Sequence, residues 1–224
     1  MVAKAGAEVS AERARTLADT IEEEIVLGWR QPRERLVEEE LAARYEVKRH
    51  VAREAIFALE RMGLVERVPN KGAVVRMLRA ADVEQIYSVR EALETLAARQ
   101  IPLPAAAGLL ADLERIQERH SAAVAADDPR AAFRANMAFH EALFGSCGNP
   151  HLAEAIRAFA QKVHGTRSYT AADPAHLVRA RDQHLAILAA LRSGDRAALV
   201  DLCRLHLVPA GAAYIAALRR RGLG

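Results

Sequence analysis

Aromatic residues, cysteines and long apolar runs are all scarce in this sequence of 224 residues. Only 4% of the residues are aromatic, whereas alanine and leucine supply much of a 51% hydrophobic content, which favours helices over sheets. The two cysteines, Cys147 and Cys203, fall in apolar helical patterns that indicate buried thiols rather than a bridge. No apolar run approaches the roughly 20 residues that cross a bilayer, and the N-terminus lacks the apolar core of a signal peptide. We therefore expect a cytoplasmic protein with no membrane partner.

The sequence also lacks a strong excess of either charge. Its formal net charge is +3, and residues 1–78 carry 14 basic and 14 acidic side chains. A protein that coats nucleic acid without selectivity would carry a basic domain. Any nucleic-acid contact must therefore depend on position, through cations grouped at residues 48–53 and at Arg67 and Lys71, while acids such as Glu22–Glu24, Glu38 and Glu40 are expected to face elsewhere.

The first third of the chain has the pattern of a winged helix-turn-helix. Helices are predicted from Ser10 as the cap to about Leu27, at Val37–Tyr45, and from Lys48 to Met62 with Gly63 as the stop. Two segments rich in β-branched residues, 64–68 and 73–76, flank a Pro-Asn-Lys-Gly turn and predict a hairpin.

Everything from Asp82 onward is predicted to be helical. Helices are expected at roughly 82–100, 105–126, 129–146, 150–169, 175–193 and 195–218, with a kink at Pro209. The pairs Asp128-Pro129, Asn149-Pro150 and Gly194-Asp195 are start and stop signals between them. The predicted fold class is thus mainly α, with a winged helix-turn-helix domain at 1–78 and an antiparallel helical bundle at 79–224.

Arg49 and Arg53 lie one turn apart on the exposed face of the third helix. Guanidinium groups in this position can bind guanine in the major groove, and Lys48 lies in the first turn, where helices approach phosphates. The alternative is that these cations merely solvate a surface helix. The preceding short helix and the turn Asn70-Lys71-Gly72 favour the DNA-binding interpretation.

Residues 11–76 resemble the DNA-binding domain of the GntR family of bacterial transcription regulators. The resemblance rests on short motifs spread over the whole domain, including Glu34-Arg35-Leu36, Glu40-Leu41-Ala42, Arg53-Glu54-Ala55, Gly63-Leu64-Val65 and Asn70-Lys71-Gly72-Ala73. It implies that Arg49 and Arg53 contact bases and phosphates and that Gly72 is a wing-tip contact. Lys48 and His50 replace small hydroxyl residues, and Arg33 replaces the usual glycine. The DNA-binding residues expected are Arg35, Lys48, Arg49, His50, Arg53, Lys71 and Gly72.

A second group of residues, Asn136, His140, His184 and His206, could bind a divalent metal. Asn136 and His140 share one helix face, and His184 and His206 flank the turn at Gly194 at nearly equal distances. Three imidazoles converging from three helices suit zinc. The alternative is that they are ordinary hydrogen-bonded histidines, the class to which we assign His120, His151, His164 and His176 unless they lie at the surface.

Residues 82–218 are similar to the helical FCD effector domain of the FadR subfamily, and six helices rather than seven indicate its VanR-like branch. This resemblance implies that Asn136, His140, His184 and His206 bind a metal, often zinc or nickel, although the family more often has Asp at the first position and Glu where Gln183 stands. It also implies that Arg90 faces the pocket and could pair with an effector carboxylate, the alternative being a surface arginine.

Together these features predict a homodimeric transcription regulator that binds an inverted repeat of double-stranded DNA. We expect a repressor released by a small carboxylate metabolite bound at the metal site. One alternative is a regulator for which the metal ion is itself the signal. A metal-dependent hydrolase is the other, but the helical half offers no HExxH-type general base, so we expect no enzyme.

Overall fold

The computed structural model describes residues 2–69, 71–171 and 173–221, with side chains described from residue 9. Asn70, predicted at the wing tip, lies outside the described residues. The chain forms two compact units. The first reaches to Leu78 and includes Gln161–Gly165, and the second contains Arg79–Ala160 and the residues from Thr166 on.

The first unit contains helices α1 (Val2–Val26), α2 (Glu38–Arg44) and α3 (Arg49–Met62) and strands β1 (Arg35–Leu36), β2 (Val65–Val68) and β3 (Gly72–Val75). The strands form an antiparallel sheet in the order β1-β3-β2, and β2 and β3 pair from Val65↔Val75 to Val68↔Gly72. This arrangement confirms the predicted winged helix-turn-helix. Strand β1 was not predicted, because a two-residue strand has too few positions to show an alternating pattern.

The core of this unit lies between α1, α3 and the sheet. It is formed by apolar side chains that are almost fully buried, among them Ile21, Ile56, Leu59 and Val75. Beside it, the buried carboxylate of Glu24 accepts hydrogen bonds from Arg30 Nε at 2.6 Å and from Tyr45 Oη at 2.7 Å. These bonds satisfy a carboxylate that would be costly to bury alone, and they anchor the end of α2 to α1.

One local prediction in this unit was wrong, and one departure from the family pattern leaves a strained turn. Helix α1 begins at Val2 rather than after Ser10, because the alanine-rich residues before Ser10 extend the helix, and Ser10 Oγ instead lies 2.9 Å from His50 Nε2. Arg33, which stands where the resembling family usually has glycine, adopts a left-handed backbone with φ 71°. The Arg33 amide donates to Val75 O at 2.8 Å, which holds the strained turn against β3.

Over its described residues, the second unit contains six helices and a 3₁₀ segment: α4 (Ala80–Gln100), α5 (Ala107–Ala125), α6 (Pro129–Gly145), α7 (Pro150–Lys162), the 3₁₀ segment (His164–Tyr169), α8 (Pro174–Ser193) and α9 (Arg196–Arg220). Only the end of α7 and the start of the 3₁₀ segment, Gln161–Gly165, belong to the first unit. Neighbouring helices pack in the pairs α5–α6, α4–α9, α5–α8 and α8–α9. The core between them includes Phe139, Leu143, Ile187, Leu191 and Leu199. The predicted helical bundle is therefore confirmed.

The predicted start and stop signals lie where these helices begin and end. Asp128 accepts from the Ala131 amide at 2.9 Å, Asn149 from the Leu152 amide at 3.1 Å, and Asp195 from the Ala198 amide at 2.9 Å. Gly194 ends α8 with φ 75°. The helix predicted at 150–169 instead ends at Lys162 and continues as the 3₁₀ segment, since Gly165 is a poor helix former.

Helix α9 is long and apolar enough to cross a membrane by length and composition alone. The expectation that no run approaches that length was wrong for this helix. Its buried side chains, including Leu199, Cys203, Leu207 and Tyr214, pack within the helical unit, and Arg204 lies on its exposed side. We therefore interpret α9 as a core helix of the bundle. Cys147 and Cys203 are both free and buried, as predicted.

Candidate nucleic-acid interface and metal centre

Helix α3 presents Arg49 and Arg53 on its outer face, with side chains 59% and 50% exposed. Its inner face buries the residues predicted for the core, namely Ala52, Ala55, Ile56 and Leu59. Helix α2 packs against α3, so the two form the helix-turn-helix pair. The outer face of α3 is therefore open to a DNA major groove.

Both arginines are paired with carboxylates in the first turn of α2. Arg53 donates from Nε and Nη2 to the two oxygens of Glu38, at 2.9 and 3.0 Å, and Arg49 Nε donates to Glu38 Oε2 at 2.9 Å. Arg49 Nη1 also lies 3.0 Å from Glu39 Oε1. Hydrogen bonds from Arg53 and then Arg49 lower the pKa of Glu38 to about 2. The expectation that Glu38 faces elsewhere was wrong, because the turn between the helices brings the start of α2 beside the start of α3.

The remaining predicted DNA-binding residues are also exposed. Lys48 precedes α3 as its N-cap residue, and His50 lies in the first turn. Lys71 and Gly72 lie on the wing, where Gly72 has φ 75° and open space around it. Arg35 lies on β1 opposite Val74. The structure thus groups Lys48, His50 and the two arginines at the start of one helix and puts a cation on the wing.

Three predicted metal ligands converge in the helical unit and form the three-histidine cluster: His140 on α6, His184 on α8 and His206 on α9. Their ligand nitrogens all lie within 4.8 Å of one another, and His140 Nε2 is 3.0 Å from His206 Nε2. Two nitrogens bound to one zinc ion at about 2.0–2.1 Å are themselves roughly 3 Å apart. The spacing therefore suits a shared divalent ion.

Two glutamines orient the rings of the cluster. Gln117 Oε1 lies 2.8 Å from His184 Nδ1, and Gln183 Oε1 lies 2.8 Å from His206 Nδ1. An amide oxygen only accepts hydrogen bonds, so each Nδ1 carries the proton and each Nε2 keeps its lone pair. Within the described part of the chain, the buried Nε2 of His184 has no hydrogen-bond partner. Outer-shell acceptors with this arrangement are typical of metal-binding histidines, so the residues present fit a divalent ion.

Gln117 was missed by the sequence analysis. It lies on α5, its side chain is 2% exposed, and its Nε2 donates to Ser121 Oγ at 3.1 Å. That second bond fixes the amide so that its oxygen faces His184. A buried glutamine in an amphipathic helix could have been noticed, but its distance of 67 residues from His184 hid the pairing.

Burial keeps the cluster in the neutral form that binds metals. Burial first, and then the neighbouring histidines, lower the pKa of His140 and His184 well below the ordinary value. Burial and the charges of Arg167 and Arg90 lower the pKa of His206 to about 3. His120 lies beside the cluster, with its ring centroid 5.1 Å from that of His184, and burial lowers its pKa to about 4.

A polar pocket adjoins the cluster and is lined by residues that include Tyr87, Arg90, Asn136, Arg167, His176, Gln183 and His206. Asn136, the fourth predicted ligand, is buried one turn before His140, and its Nδ2 lies 3.9 Å from Met137 Sδ. The structure brings Asn136 to the wall of the pocket together with His206.

Arg90 lines the pocket but is already paired. It is buried, its Nε and Nη2 lie 3.0 and 2.9 Å from Glu94 Oε1, and its guanidinium lies 5.1 Å from the ring centroid of Tyr87. The alternative of a surface arginine was therefore wrong. Burial raises the pKa of Glu94, and the charge of Arg90 opposes that rise.

Arg167 lines the same pocket and was missed by the sequence analysis. Burial and the positive charge of Arg90 lower its pKa. Its position on the 3₁₀ segment, in a stretch predicted as plain helix, gave no signal. Arg90, Arg167 and Arg179 line the pocket, and Glu94 pairs with Arg90, so the pocket has an excess of positive charge, which suits an anionic ligand.

A winged helix-turn-helix with outward arginines, followed in the chain by a helical unit, is the architecture of a DNA-binding regulator. Two family models match the chain: "Bacterial regulatory proteins, gntR family" over residues 13–75, and "FCD domain" over residues 85–208. The chain belongs to the GntR family of transcription regulators with an FCD domain. It is thus a transcription regulator and not an enzyme.

Individual relatives agree with this assignment. The chain is 32% identical over 141 residues to the HTH-type transcriptional regulator YdhC of Bacillus subtilis (strain 168), covering 62% of this chain and 63% of that protein. It is 35% identical over 107 residues to a regulator of Agrobacterium vitis, covering 46% of this chain and again 63% of that protein. It is 27% identical over 207 residues to BphR of Paraburkholderia xenovorans (strain LB400), covering 89% and 82%.

Two solved structures share the fold. Escherichia coli McbR/YncC superposes with a TM-score of 0.74 at 21% identity, covering 94% of this chain and 98% of that one. A GntR-type regulator from Rhodococcus sp. RHA1 also gives 0.74, at 24% identity, covering 92% and 99%.

Proposed function

We propose that the protein is a homodimeric repressor that binds an inverted repeat through Arg49 and Arg53 of α3. Residues 1–78 form the DNA-binding domain, and residues 79–224 form the effector-binding and dimerisation domain. The proposal rests on the two exposed guanidiniums at the start of α3, because these groups can form hydrogen bonds with guanine O6 and N7 in the major groove. Contacts to the sugar-phosphate backbone of the DNA around them come from Lys48, His50, Arg35, Lys71 and Gly72.

An unbiased selection from a randomised duplex library tests this function. The full chain should enrich an inverted repeat, and Arg49→Ala should lose the preference for that repeat over random duplex. Arg61, exposed near the other end of α3, provides a matched control, and Arg61→Ala should keep the preference. A chain that enriches no duplex, or an Arg49→Ala variant that keeps full selectivity, would contradict the proposal.

Homodimer formation is supported by apolar side chains on the helical unit. Helices α4 and α9 pack on each other and leave four apolar side chains 38–54% exposed, namely Val89, Leu96, Leu205 and Val208. Val89 and Leu96 are seven residues apart and so share one face of α4. Leu205→Glu should shift the dimer towards monomer in sedimentation, whereas the same change at exposed Val178 of α8 should not.

The effector is proposed to be a small carboxylate metabolite bound in the polar pocket. His140, His184 and His206, with Asn136 beside them, would hold a divalent ion such as zinc or nickel. When bound, that ion supplies a positive centre for a carboxylate oxygen. Arg167, which lines the pocket, binds the remaining anionic group, and Arg90 lines the same pocket while paired with Glu94.

Release from DNA requires that the ligand bind one state of the dimer more tightly than the other. Arg90 lies on α4, the first helix of the second unit. The chain passes from the first unit to the second between Leu78 and Arg79, directly before α4 begins. A ligand that moves α4 therefore pulls on the linker near residues 77–81. This movement changes the spacing of the two recognition helices and lowers affinity for the inverted repeat.

Citrate and simple dicarboxylates serve as probes of this pocket. With zinc present they should raise the midpoint of thermal unfolding and release the selected duplex, and Arg167→Gln should lose both effects while keeping bound zinc. Retention of both effects in Arg167→Gln would exclude the pocket as the effector site.

A second candidate is a regulator that responds to the metal ion alone. It is favoured by the hydrogen bonds that His184 and His206 donate to Gln117 and Gln183, which orient two ligands of the cluster without any organic molecule. The two candidate functions can be distinguished by measuring affinity for the selected duplex first with a chelator and then with zinc, without any carboxylate. A change with zinc alone favours this candidate, and a change that needs the carboxylate favours the first.

A further inference from the structure

Glu38 is the common partner of the two arginines that the proposed function assigns to DNA. It lies in the first turn of α2, and its side chain is 23% exposed. Three hydrogen bonds of 2.9, 2.9 and 3.0 Å join its two oxygens to Arg49 and Arg53. One carboxylate thus holds two guanidiniums that belong to a neighbouring helix.

The bonds decide which edge of each guanidinium remains available. Arg53 donates to Glu38 from Nε and from one hydrogen of Nη2, which lie on the same side of the guanidinium. Nη1 and the second hydrogen of Nη2 remain available at the far end of the side chain. Arg49 donates from Nε to Glu38 and lies in ion-pair contact with Glu39 through Nη1. Among the described residues, its Nη2 pairs with no carboxylate and remains available as a donor. A base that meets these arginines therefore finds a restricted set of donors in a fixed direction.

The same carboxylate opposes contacts that carry no sequence information. Without Glu38, two long flexible cations at the start of a helix could each rotate onto the nearest phosphate. With Glu38, a phosphate either displaces a carboxylate of similar hydrogen-bond geometry or accepts from the remaining donors close to a group of like charge. A guanine that accepts from the same donors is not repelled by the carboxylate, because its O6 and N7 carry no net charge.

We propose that Glu38 is a specificity-determining residue that positions Arg49 and Arg53 for base contacts and disfavours phosphate-only binding. This inference rests on the proposed function of the two arginines. It assigns to an acidic residue on the first helix of the pair a role in discrimination that the exposed cations alone would not provide.

Three variants of the full chain separate positioning from a simple effect of charge. Glu38→Gln removes the charge and most of the acceptor capacity, whereas Glu38→Asp keeps the charge but is one methylene too short to hold both arginines. Glu40→Gln is the matched control, because Glu40 is an exposed acid in the same turn and, among the described residues, Arg49 and Arg53 pair with Glu38 and Glu39 instead. Circular dichroism and the unfolding midpoint establish that each variant is folded.

The measurement is the ratio of affinities for the duplex selected by the wild-type chain and for random duplex, at several salt concentrations. Glu38→Gln should raise affinity for random duplex and lower the ratio at least tenfold, with a steeper salt dependence on random duplex by roughly one to two phosphate contacts. Glu38→Asp should also lower the ratio, at least threefold. Glu40→Gln should change it less than twofold.

The proposal is overturned if Glu38→Asp keeps the wild-type ratio, since charge alone would then account for the residue. It is equally overturned if Glu38→Gln and Glu40→Gln change both affinities by the same factors. If Glu38→Gln does not fold, the Glu38→Asp result decides alone. A wild-type chain that selects no duplex would instead contradict the proposed function, and that outcome is distinct from either result.

Discussion

Replacing Gln117 by methionine tests whether the three-histidine cluster is built to hold a metal. Methionine is unbranched and similar in length, so it fills the buried site on α5 but offers no oxygen to His184 Nδ1. The lost bond is 2.8 Å long and joins two side chains that are 2% and 0% exposed, so solvent cannot replace the acceptor. His184 is then free to rotate or to change tautomer.

The expected loss follows from the geometry. Removing an outer-shell acceptor of a metal-binding histidine typically weakens binding about 10–100-fold, which corresponds to about 1.4–2.7 kcal/mol. The complete burial of His184 puts the expectation in the upper half of that range. An unpaired buried donor should also lower the free energy of unfolding of the metal-free chain by about 1–3 kcal/mol.

The assay is competition for zinc against a chromophoric chelator, with circular dichroism as a check of folding. Gln85→Met is the matched control, because Gln85 is exposed on α4, and it should bind zinc like the wild type. In a His184→Ala background the Gln117→Met change should have almost no further effect. Zinc affinity of folded Gln117→Met within twofold of wild type would refute the reasoning.

Three further predictions concern acid, the turn before β1, and the wing. Because burial depresses the pKa values of the three-histidine cluster in the folded chain, protons bind the unfolded chain first, so stability is lost as pH falls below about 6.5. At pH 5.5 each of the three histidines should lower the free energy of unfolding by about 1.4 kcal/mol relative to pH 7.5. Equal urea midpoints at pH 7.5 and 5.5, measured with a chelator present so that no metal is bound, would contradict this. Arg33→Gly should stabilise the chain by about 0.5–1 kcal/mol, because Arg33 has φ 71°. Arg33→Ala, which keeps the strain, should not stabilise it. Lys71→Ala should weaken binding to all duplexes alike and reduce the salt slope by about 0.9, whereas a base-specific loss would mean that the wing reads sequence.

Much of the fold could be predicted because its signals are local. The caps at Asp128 and Asp195, the stop at Gly194, and the apolar stripe of α3 each depend on residues within a turn or two of one another. Local hydrogen bonds and helical periodicity act before any tertiary contact forms. Three local features were not predicted. Ser10 resembled a cap although the alanine-rich residues before it extend α1, β1 has only two residues, and Gly165 lies where the predicted helix gives way to the 3₁₀ segment.

The sequence by itself determined that Arg49 and Arg53 share an exposed helix face and that His184 and His206 lie at matching levels of a helical hairpin. Only the tertiary structure decided their partners. Glu38 meets the arginines across a turn, and Gln117 meets His184 over 67 positions of sequence. Such pairs depend on how helices pack, and packing is set by the summed burial of many side chains rather than by the paired residues themselves. For the same reason Arg167 could be recognised as a pocket residue only when its helical unit was seen folded.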